Sequence, residues 1–532
     1  MKGRAAAGLI LAGLAAAVGL YLLRERQIAG SLGASGFPLD DSWIHLQFAR
    51  NLAEGRGFAY NPGVSVPGST APLWTILLAG LFAIAGAHVA WVKIAGVAAA
   101  VGSAWLARRL AIQWTGEPLL GLGAGLVTAL SAPMAWGALS GMEVTLAALL
   151  VTGALCAHAS GRVTLAALLI GAAALARPES VLLVPLFWLG GPLTLKRSVV
   201  SLGLPAAVLS PWIAFNLWTA GTPLPATAAA KIEGGLVGLL AGTRAPVTET
   251  LFVRPWRFEA EWAAWLVSVD VLLPVLILPG LWMLWRRHGR AALLPASILL
   301  LHPLGMALLA PYRGPAFQEG RYSIQLLPLA ICVAVTALSP LRTSSLSPQG
   351  RGPQFELSRC LSGEARAESD QGWLRRAAIV LFVVASVVPL WSGAVRYAWA
   401  VQNIDAMQVH LGRWVSEHTP PGARLALNDV GAIVYVGRRE AVDVMGLVTP
   451  AIIPYRREGE KGVLRYLERA CPDYLIIFPA WFPELASRGD RFTPVYRVRL
   501  ERKTVAGADE MVVYETAWNR WSRAPRPCPE PH

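Results

Sequence analysis

Long runs of apolar residues alternate with short polar segments through the first 400 residues of the chain. An apolar run of roughly 20 residues can cross a bilayer as a helix. By that criterion the pattern predicts about eleven membrane spans, several of them short. They lie near residues 5–23, 88–107, 119–137, 142–160, 163–176, 179–192, 198–219, 263–285, 291–311, 322–341 and 376–399. The predicted fold class is a polytopic α-helical membrane protein.

Beyond residue 400 the apolar runs give way to short alternating segments with charges between them. Such segments predict a small α/β domain over residues 401–532, following a transmembrane module over residues 1–400. The predicted elements are a helix at 405–418, a strand at 424–428, a helix or strand at 431–436, a strand at 441–444, a helix at 460–470, a strand at 474–478 and a β-hairpin formed by 496–500 and 511–515.

The first apolar run follows Lys2 and Arg4 and could be a secretory signal peptide. Because many spans follow it, we expect a retained membrane helix. Lys and Arg collect on the cytoplasmic side, and they mark alternate connections along the chain. This places the N-terminus and the loop 342–376 in the cytoplasm and the C-terminal domain outside. The protein is then expected in the cytoplasmic (inner) membrane.

The apolar segment 71–86 admits two interpretations. We predict a surface helix within an outer loop spanning residues 24–87. The alternative is a further span, which would place Arg108 and Arg109 on the outer side, against the distribution of basic residues.

Composition agrees with a membrane protein: 55% of the residues are hydrophobic and mean hydropathy is +0.48. The net charge of +14 is dispersed over loops, so it gives no reason to expect a nucleic-acid partner. The cysteines show no metal-ligand spacing. Cys471 and Cys528, both in the C-terminal segment, could pair in an oxidising compartment, which is left open.

Charged residues in the predicted outer loops are the candidates for chemistry, because irregular backbone at a membrane surface can meet water. On the predicted topology they converge on one face. The candidates are Asp40, Asp41, His45, Glu143, Arg177, Glu179, Lys231, Arg321 and Tyr322.

Each candidate also has a structural interpretation. Asp40 could cap the helix that follows it, although one cap leaves the second carboxylate unexplained. Arg177 and Glu179 could be a structural pair. Lys231 and Arg321 could anchor the chain at the membrane interface, and His45 could be an ordinary surface histidine.

Several of these segments resemble the C-type (GT-C) membrane glycosyltransferases that use polyprenyl-phosphate sugars. The similarity is greatest to the branch containing terminal arabinofuranosyltransferases. That branch often has Asn before the Thr that follows the Pro-Leu-Pro motif. In this chain Ala226 precedes that Thr, which is Thr227. The matching segments are Asp40-Asp41 with Ala49-Arg50-Asn51-Leu52, Tyr60-Asn61-Pro62-Gly63, Gly141-Met142-Glu143, Arg177-Pro178-Glu179, Thr222-Pro223-Leu224-Pro225 with Lys231, Arg321-Tyr322, Asn428-Asp429-Val430-Gly431 and Val442-Asp443-Val444-Met445-Gly446-Leu447.

The resemblance implies transfer of a sugar from a polyprenyl-phosphate donor to a cell-envelope glycan, lipid or protein acceptor, with inversion at the anomeric carbon. Asp40 or Asp41 would be the base. Lys231 and Arg321 would bind the departing phosphate, with Arg177 as a third candidate. The remaining candidates would contact substrate: His45, Glu143, Glu179 and Tyr322. The one cofactor left open is a divalent cation, which Glu143 would help to bind.

Two other classes of function remain open. One is a transporter or flippase for a lipid-linked sugar, although such proteins usually carry ionisable groups near the bilayer midplane. The other is a noncatalytic membrane scaffold whose C-terminal domain binds a cell-wall polymer. The chain contains no sugar-nucleotide or phosphate-loop signature.

Overall fold

The computed structural model describes residues 3–30, 36–231, 235–240, 246–309, 313–340 and 364–522. Helices dominate as far as residue 418, and one small sheet lies beyond it. The α-helices of the first part are Gly3–Ala29, Asp41–Ala53, Pro72–Ala85, Val89–Thr115, Pro118–Leu130, Ala132–Leu139, Val144–Ala159, Val163–Ala176, Leu183–Leu189, Leu195–Ser198, Leu204–Ala220, Ala226–Lys231, Gly235–Leu240, Arg254–Val269, Leu272–His288, Leu293–Leu309, Phe317–Gly320, Leu327–Thr336, Glu364–Ile404 and His410–His418.

Shorter helical turns connect several of these helices. Three are of the 3₁₀ type: Pro178–Leu182, Gly289–Ala292 and Ile324–Leu326. Three are π-helical: Val199–Gly203, Glu249–Val253 and Asp405–Val409.

Five helical stretches within the described part of the chain are long and apolar enough to cross a membrane. A sixth span is possible if the bent pair Pro118–Leu130 and Ala132–Leu139, which meet at 54°, counts as one. The multi-pass helical fold is therefore confirmed, whereas the number of spans near eleven is not. Helix Pro72–Ala85 has 14 residues, about 21 Å of helix, which is too short to cross a bilayer alone.

The structure corrects three boundaries. The span predicted at 263–285 is two helices, because the backbone is extended at Asp270 and the Asp270 carboxylate accepts from the Leu272 N–H at 2.8 Å. The helix Glu364–Ile404 begins inside the predicted loop 342–376, where Glu, Ala and Arg are good helix formers. Helical structure also crosses the predicted domain boundary at residue 400 and ends at His418, since no Gly or Pro interrupts residues 400–410.

The C-terminal domain contains five strands: β1 Arg424–Leu427, β2 Glu440–Asp443, β3 Tyr474–Ile477, β4 Phe492–Arg499 and β5 Glu510–Thr516. They form one sheet in the order β2-β1-β3-β5-β4. Strands β1, β2 and β3 are parallel, and β5 pairs antiparallel with both β3 and β4. The predicted strands, the helix at 460–470 and the hairpin are confirmed, and residues 431–436 are helical. The helices are Ala432–Gly437, the 3₁₀ turn Pro450–Ile452, Ile453–Arg456, Glu460–Ala470 and Pro483–Ala486.

The loop that contains the helix Asp41–Ala53 shares one hydrophobic core with the C-terminal domain. Ile44 and Phe48 of the helix Asp41–Ala53 pack in the same buried cluster as Leu411, Leu425 and Ile433. Burial of these side chains holds the loop helix against the sheet domain. The residues that follow Leu39 are thereby fixed between the membrane helices and the domain.

Candidate functional site

Two cavities meet at the start of the loop helix Asp41–Ala53. One, of about 350 Å³, is lined largely by apolar side chains of the helical module. The other, of about 500 Å³, lies against the C-terminal domain and has a more polar lining. Four residues line both cavities: Asp41, Ile44, Arg321 and Leu447. Asp41 is the one carboxylate that both cavities share among the described residues.

Asp41 forms an ion pair with Arg321. Arg321 Nη1 donates to Asp41 Oδ2 at 3.0 Å, and Nη2 donates to the Tyr322 hydroxyl at 3.1 Å. One third of the Asp41 side chain is exposed, whereas Arg321 is 4% exposed. Arg321 Nε has no hydrogen-bond partner within the described ranges. The pair thus combines an accessible carboxylate with a buried cation that has one unused N–H.

Local backbone geometry brings Arg321 to this position. Gln318 and Glu319 both have positive φ, as does Gly320. A side chain at Gly320 would collide with the ring of Trp265, so glycine is needed at this position. Glu319 is held by Arg396, whose Nε and Nη2 donate to its carboxylate at 2.6 and 2.8 Å.

Asp40 is bonded to the C-terminal domain. Its carboxylate accepts from the N–H groups of Gly431 at 2.7 Å and Ala432 at 2.8 Å. It therefore caps the helix Ala432–Gly437. The cap on its own helix Asp41–Ala53, which the sequence had suggested, is not made by its side chain. Burial and then the nearby Asp429 raise the pKa of Asp40 well above its usual range, while the two N–H donors act in the opposite direction.

Further contacts from the same loop hold both ends of this capped helix. Tyr60 donates its hydroxyl to Val430 O, and Arg50 Nη1 donates to Tyr435 O at 2.9 Å. An acidic group at the N-terminus and a cation near the C-terminus both suit the helix dipole. We call Asp40, Arg50 and Tyr60 with the helix Ala432–Gly437 the interdomain clamp.

A second charged network backs the apolar cavity. Arg177 Nη1 donates to Glu143 Oε1 at 2.6 Å, and Arg177 Nε donates to Glu179 Oε1 at 2.5 Å. His45 Nε2 lies 3.3 Å from the other Glu143 oxygen. Burial opposes ionisation of Glu143, but Arg177 and His45 outweigh it and lower its pKa to about 2. Arg177 thus joins Glu143 and Glu179 in one buried ion-pair network.

Of the nine predicted site residues, seven line the apolar cavity: Asp41, His45, Glu143, Arg177, Glu179, Arg321 and Tyr322. Asp40 lines only the polar cavity. Lys231 ends the helix Ala226–Lys231, but its side chain is outside the described residues.

The residues around the two cavities do not fit a metal ion. No group of three or more His, Cys, Asp or Glu side chains placed to hold one occurs in the part of the chain that the structure describes. Glu143, the carboxylate that we had considered as a ligand, is already bonded to Arg177 and next to His45.

Sequence reasoning missed the polar residues of the second cavity. Asp429 and Asn428 directly follow β1, and Gln408 approaches from the helix before the domain. Gln408 Nε2 donates to one Asp429 oxygen at 2.7 Å and Asn428 Nδ2 to the other at 3.0 Å. The missed signal was the position of Asn428-Asp429 at the carboxyl end of a parallel strand, where α/β domains bind ligands.

Comparisons with known proteins cover both parts of the chain. The family described as a domain of unknown function (DUF8728) matches residues 395–523. The autoinducer 2 import system permease protein LsrC of Shigella flexneri is 32% identical over 233 residues, which are 42% of this chain. The match spans 61% of the permease's length.

Solved structures match nearly the whole chain. ArnT from Cupriavidus metallidurans in the apo state superposes with a TM-score of 0.58 at 14% identity, over 96% of this chain and 98% of ArnT. ArnT bound to undecaprenyl phosphate gives 0.56 at 12% identity, over 95% and 98% of the two chains. The Archaeoglobus fulgidus oligosaccharyltransferase AglB, in complex with an inhibitory peptide and a dolichol-phosphate, gives 0.50 at 11% identity, over 96% of this chain and 74% of AglB. The chain therefore has the GT-C membrane fold with a small C-terminal α/β domain.

Proposed function

We propose that this protein is an inverting glycosyltransferase that moves a sugar from a polyprenyl-phosphate donor to a cell-envelope acceptor. One observation carries the proposal: Asp41, accessible and paired with Arg321, lies where an apolar cavity meets a polar one. A transferase of this kind needs a base between a lipid-linked donor and a hydroxyl-bearing acceptor.

The apolar cavity suits the lipid-linked donor. Three of its lining residues are exposed apolar side chains, Val181, Leu224 and Leu309. Exposed apolar groups on a membrane protein face lipid, so a polyprenyl chain can enter from the bilayer. The lipid phosphates in the similar ArnT and AglB structures support a donor of this class.

Arg321 is the better of the two described phosphate ligands. The Arg177 guanidinium is already shared by Glu143 and Glu179. Arg321 faces one carboxylate, Asp41, and retains an unused Nε–H. A phosphate that accepts from Arg321 would weaken its hold on Asp41 and release that carboxylate for proton transfer. Lys231 remains a proposed second ligand.

The reaction then follows from these positions. Asp41 takes the proton of an acceptor hydroxyl in the polar cavity as the hydroxyl oxygen bonds to the anomeric carbon. The bond between that carbon and the phosphate oxygen breaks, its electron pair remains on the phosphate, and Arg321 stabilises the added charge. One displacement inverts the anomeric carbon, unlike the double displacement of retaining glycosidases.

The remaining charged residues form the wall of the donor site. The Glu143–Arg177–Glu179 network fixes His45 through Glu143. The centroid of the Tyr322 ring lies 5.1 Å from the guanidinium carbon of Arg177 and 5.1 Å from that of Arg321. We propose that His45, Glu179 and Tyr322 contact the sugar from this wall. The resemblance of the first outer loop to terminal arabinofuranosyltransferases makes an arabinofuranosyl donor the first to try.

We place the site on the outer face of the cytoplasmic membrane. The distribution of basic residues puts the N-terminus inside. Cys471 in the C-terminal domain is disulfide-bonded, which fits an oxidising compartment; Cys528, whose pairing with Cys471 the sequence left open, lies outside the described residues. Cys156 and Cys332, by contrast, are free thiols within the membrane helices.

The similarity to a permease favours a second candidate, transport of a lipid-linked sugar. The two candidates differ in their dependence on Asp41. Catalysis needs its carboxylate as a base, whereas transport would break no glycosidic phosphate bond.

The test uses membranes that contain the wild-type protein or Asp41→Asn, supplied with a panel of radiolabelled polyprenyl-phosphate sugars and cell-envelope acceptors. We expect transfer from one donor by the wild type and a rate roughly 10³-fold lower by Asp41→Asn. The exposed Asp509→Asn variant is the matched control and should retain transfer. Movement of the intact donor across vesicles without cleavage would contradict the proposal and support transport.

A further inference from the structure

A third cavity, of about 530 Å³, lies between the loop helix Asp41–Ala53 and the C-terminal domain. Among the described residues, its lining shares no member with the two cavities that meet at Asp41. Ala423, which precedes β1, and Glu440, which begins β2, belong to this lining. The polar cavity lies at the opposite edge of the sheet, beyond the carboxyl end of β1. The third cavity is therefore separate from the proposed reaction site.

Positive charge predominates in the third cavity, which is lined by four arginines and two glutamates. Both glutamates already have ion-pair partners. Glu54 pairs with Arg56, and the Glu440 carboxylate lies 3.0 Å from the guanidinium group of Arg424. An excess of cations around a cavity attracts an anion. The lining arginines that have no carboxylate partner among the described residues are Arg50, Arg438 and Arg439.

Arg439 is already bonded to backbone oxygens. Its Nη2 donates to Thr419 O at 2.6 Å, and its Nη1 donates to Gly437 O at 2.8 Å. These carbonyl groups lie at the C-termini of two helices, where a cation commonly has a structural role. Arg439 therefore gives no reason to expect a further anion.

Arg50, by contrast, is buried and incompletely bonded. It lines the cavity with 6% of its surface exposed. Its Nη1 and Nη2 donate to Tyr435 O and Gln47 Oε1 at 2.9 and 2.5 Å, and both acceptors are uncharged. Its Nε has no hydrogen-bond partner within the described ranges. Because a buried cation is costly without a compensating charge, the Arg50 side chain points to an anion in this cavity.

Arg438 adds an exposed positive charge near Arg50. It follows the helix Ala432–Gly437 with φ at +51°, a conformation that glycine adopts more easily than arginine. Burial lowers the pKa of the Arg50 guanidinium, and the charge of Arg438 lowers it further. An anion shared by the two guanidinium groups would remove their repulsion and supply the acceptor that Arg50 Nε lacks.

The third cavity lies close to a helix that can cross the membrane. Phe58 is two residues beyond Arg56. Its ring packs against those of Trp212 and Phe215, with ring centroids 5.1 and 5.5 Å apart. Both partners belong to Leu195–Ala220, one of the stretches long and apolar enough to cross a membrane. Aromatic side chains toward the end of a span are typical of the level of the lipid headgroups.

A second contact links the cavity to a lipid-facing helix. The Tyr435 hydroxyl donates to Ala87 O at 3.2 Å, and the Arg50 guanidinium carbon lies 4.2 Å from the centroid of the Tyr435 ring. Ala87 follows the helix Pro72–Ala85, whose Ile84 is 88% exposed. Exposed apolar side chains of a membrane protein face lipid. These contacts put the arginines of the cavity near the membrane surface.

We infer that the third cavity binds the phosphate of an anionic phospholipid, from the leaflet on the side of the C-terminal domain. Arg50 and Arg438 bind the phosphate oxygens through charge-assisted hydrogen bonds. Basic pockets beside membrane helices recognise lipid headgroups in this way. Because Arg50 belongs to the interdomain clamp, the bound lipid holds the C-terminal domain against the membrane. The inference does not depend on the transferase proposal.

Lipid binding by the purified full-length protein tests the inference. Native mass spectrometry in detergent follows titration with phosphatidylglycerol, which is anionic, or with phosphatidylcholine of the same acyl chains, whose choline adds a positive charge. We expect phosphatidylglycerol to bind with a Kd at least about fivefold lower. Arg50→Gln and Arg438→Gly should each raise that Kd about fivefold, because each removes one arginine from the headgroup.

Arg438→Gly keeps the test decisive if Arg50→Gln does not fold, because glycine suits the positive φ at this position. Arg499→Gln is the matched control. It removes the same charge from an exposed position on β4 outside the cavity, and it should leave the Kd for phosphatidylglycerol unchanged. Equal Kd values of the wild type for the two lipids, an unchanged Kd in Arg438→Gly, or an equal rise in Arg499→Gln would overturn the inference.

Free phosphate shares the chemistry of the lipid headgroup, so a third arm of the experiment separates the two sources. Inorganic phosphate is added in competition with phosphatidylglycerol. It should bind more weakly than the lipid, because it has no acyl chains to contact the apolar surface beside the cavity. Binding of inorganic phosphate as tight as that of phosphatidylglycerol would overturn the assignment to a phospholipid.

Discussion

The two cavities that meet at Asp41 differ in almost every physical respect. The first is lined by apolar helices, opens among exposed apolar side chains and has its charges locked in the Glu143–Arg177–Glu179 network. The second lies against strand ends and contains unpartnered amide oxygens. A lipid-linked substrate suits the first and a hydroxylated one the second. The difference is the one that the proposed transfer between two substrates requires, with Asp41 as the carboxylate that both cavities share.

The same contrast separates the two adjacent aspartates. Asp41 faces both cavities and is bonded to the Arg321 side chain, whereas both oxygens of Asp40 are engaged by backbone N–H groups. A base must reach the proton that it abstracts, so geometry takes precedence over a raised pKa. We therefore propose Asp41 as the base and Asp40 as a positioning residue.

The largest expected effect is that of Asp41→Asn. Loss of a general base typically costs about 10²–10⁴-fold in rate, so kcat for transfer should fall by roughly 10³. The amide retains the size of the side chain, and the donor KM should change little. Single-turnover measurement of polyprenyl-phosphate release checks this prediction. Release by the variant at the wild-type rate would contradict Asp41 as the base.

Arg321→Gln should have the next largest effect. Removing a charged donor from a developing phosphate costs on the order of 10²-fold in kcat. Because Arg321 also pairs with Asp41, the pH profile should change as well. Arg499→Gln, an exposed arginine on β4, is the matched control. Equal kcat in both variants would show that the donor phosphate binds elsewhere.

Gly431→Ala tests the interdomain clamp. A Cβ at Gly431 would collide with the backbone oxygen of Asp40, so the loop and the capped helix must separate. We expect a loss of about 2 kcal/mol in stability, the range of a lost cap with strain, and a lower melting temperature. Gly422→Ala is the control, because a Cβ there meets only the Trp521 ring at 3.7 Å. An unchanged melting temperature for Gly431→Ala would show that the interdomain clamp does not stabilise the protein.

The smallest expected effect concerns pH and Asp429. Burial, with Asp41 as a second contributor, raises the pKa of Asp429 to about 6 from its ordinary 3.8. Its contribution to stability is thus full below pH 3.8 and is lost as pH rises toward 6, as the buried carboxyl ionises. The Asn side chain of Asp429→Asn cannot ionise, so this variant does not lose that stability. The melting temperature of the variant minus that of the wild type should therefore increase by a few degrees between pH 4 and pH 7. A constant difference across that range would contradict the assigned pKa.

The sequence predicted most elements with a strong local pattern. The helix at 460–470 and the strands 424–428 and 474–478 have clear periodicity, and the structure places them within one residue. The span at 263–285 was wrong because overall hydrophobicity concealed the break that the Asp270 carboxylate makes. Hydropathy averages over a window, whereas one side chain can end a helix.

The candidate site was predictable in its members but not in its roles. Charge and loop position selected seven of the residues that line the apolar cavity. The role of Asp40 depends on Gly431, 391 residues away, and the partner of Asp41 is 280 residues away. No local pattern reports such contacts, because both carboxylates begin the same helix and differ only in tertiary surroundings.

The most direct test of this account is the ratio of kcat for sugar transfer between Asp40→Asn and Asp41→Asn, each normalised to its folded fraction. We predict that folded Asp40→Asn retains transfer within about tenfold of the wild type, while Asp41→Asn loses roughly 10³-fold. Equal losses, or a greater loss for Asp40→Asn, would contradict Asp41 as the carboxylate that joins the two cavities.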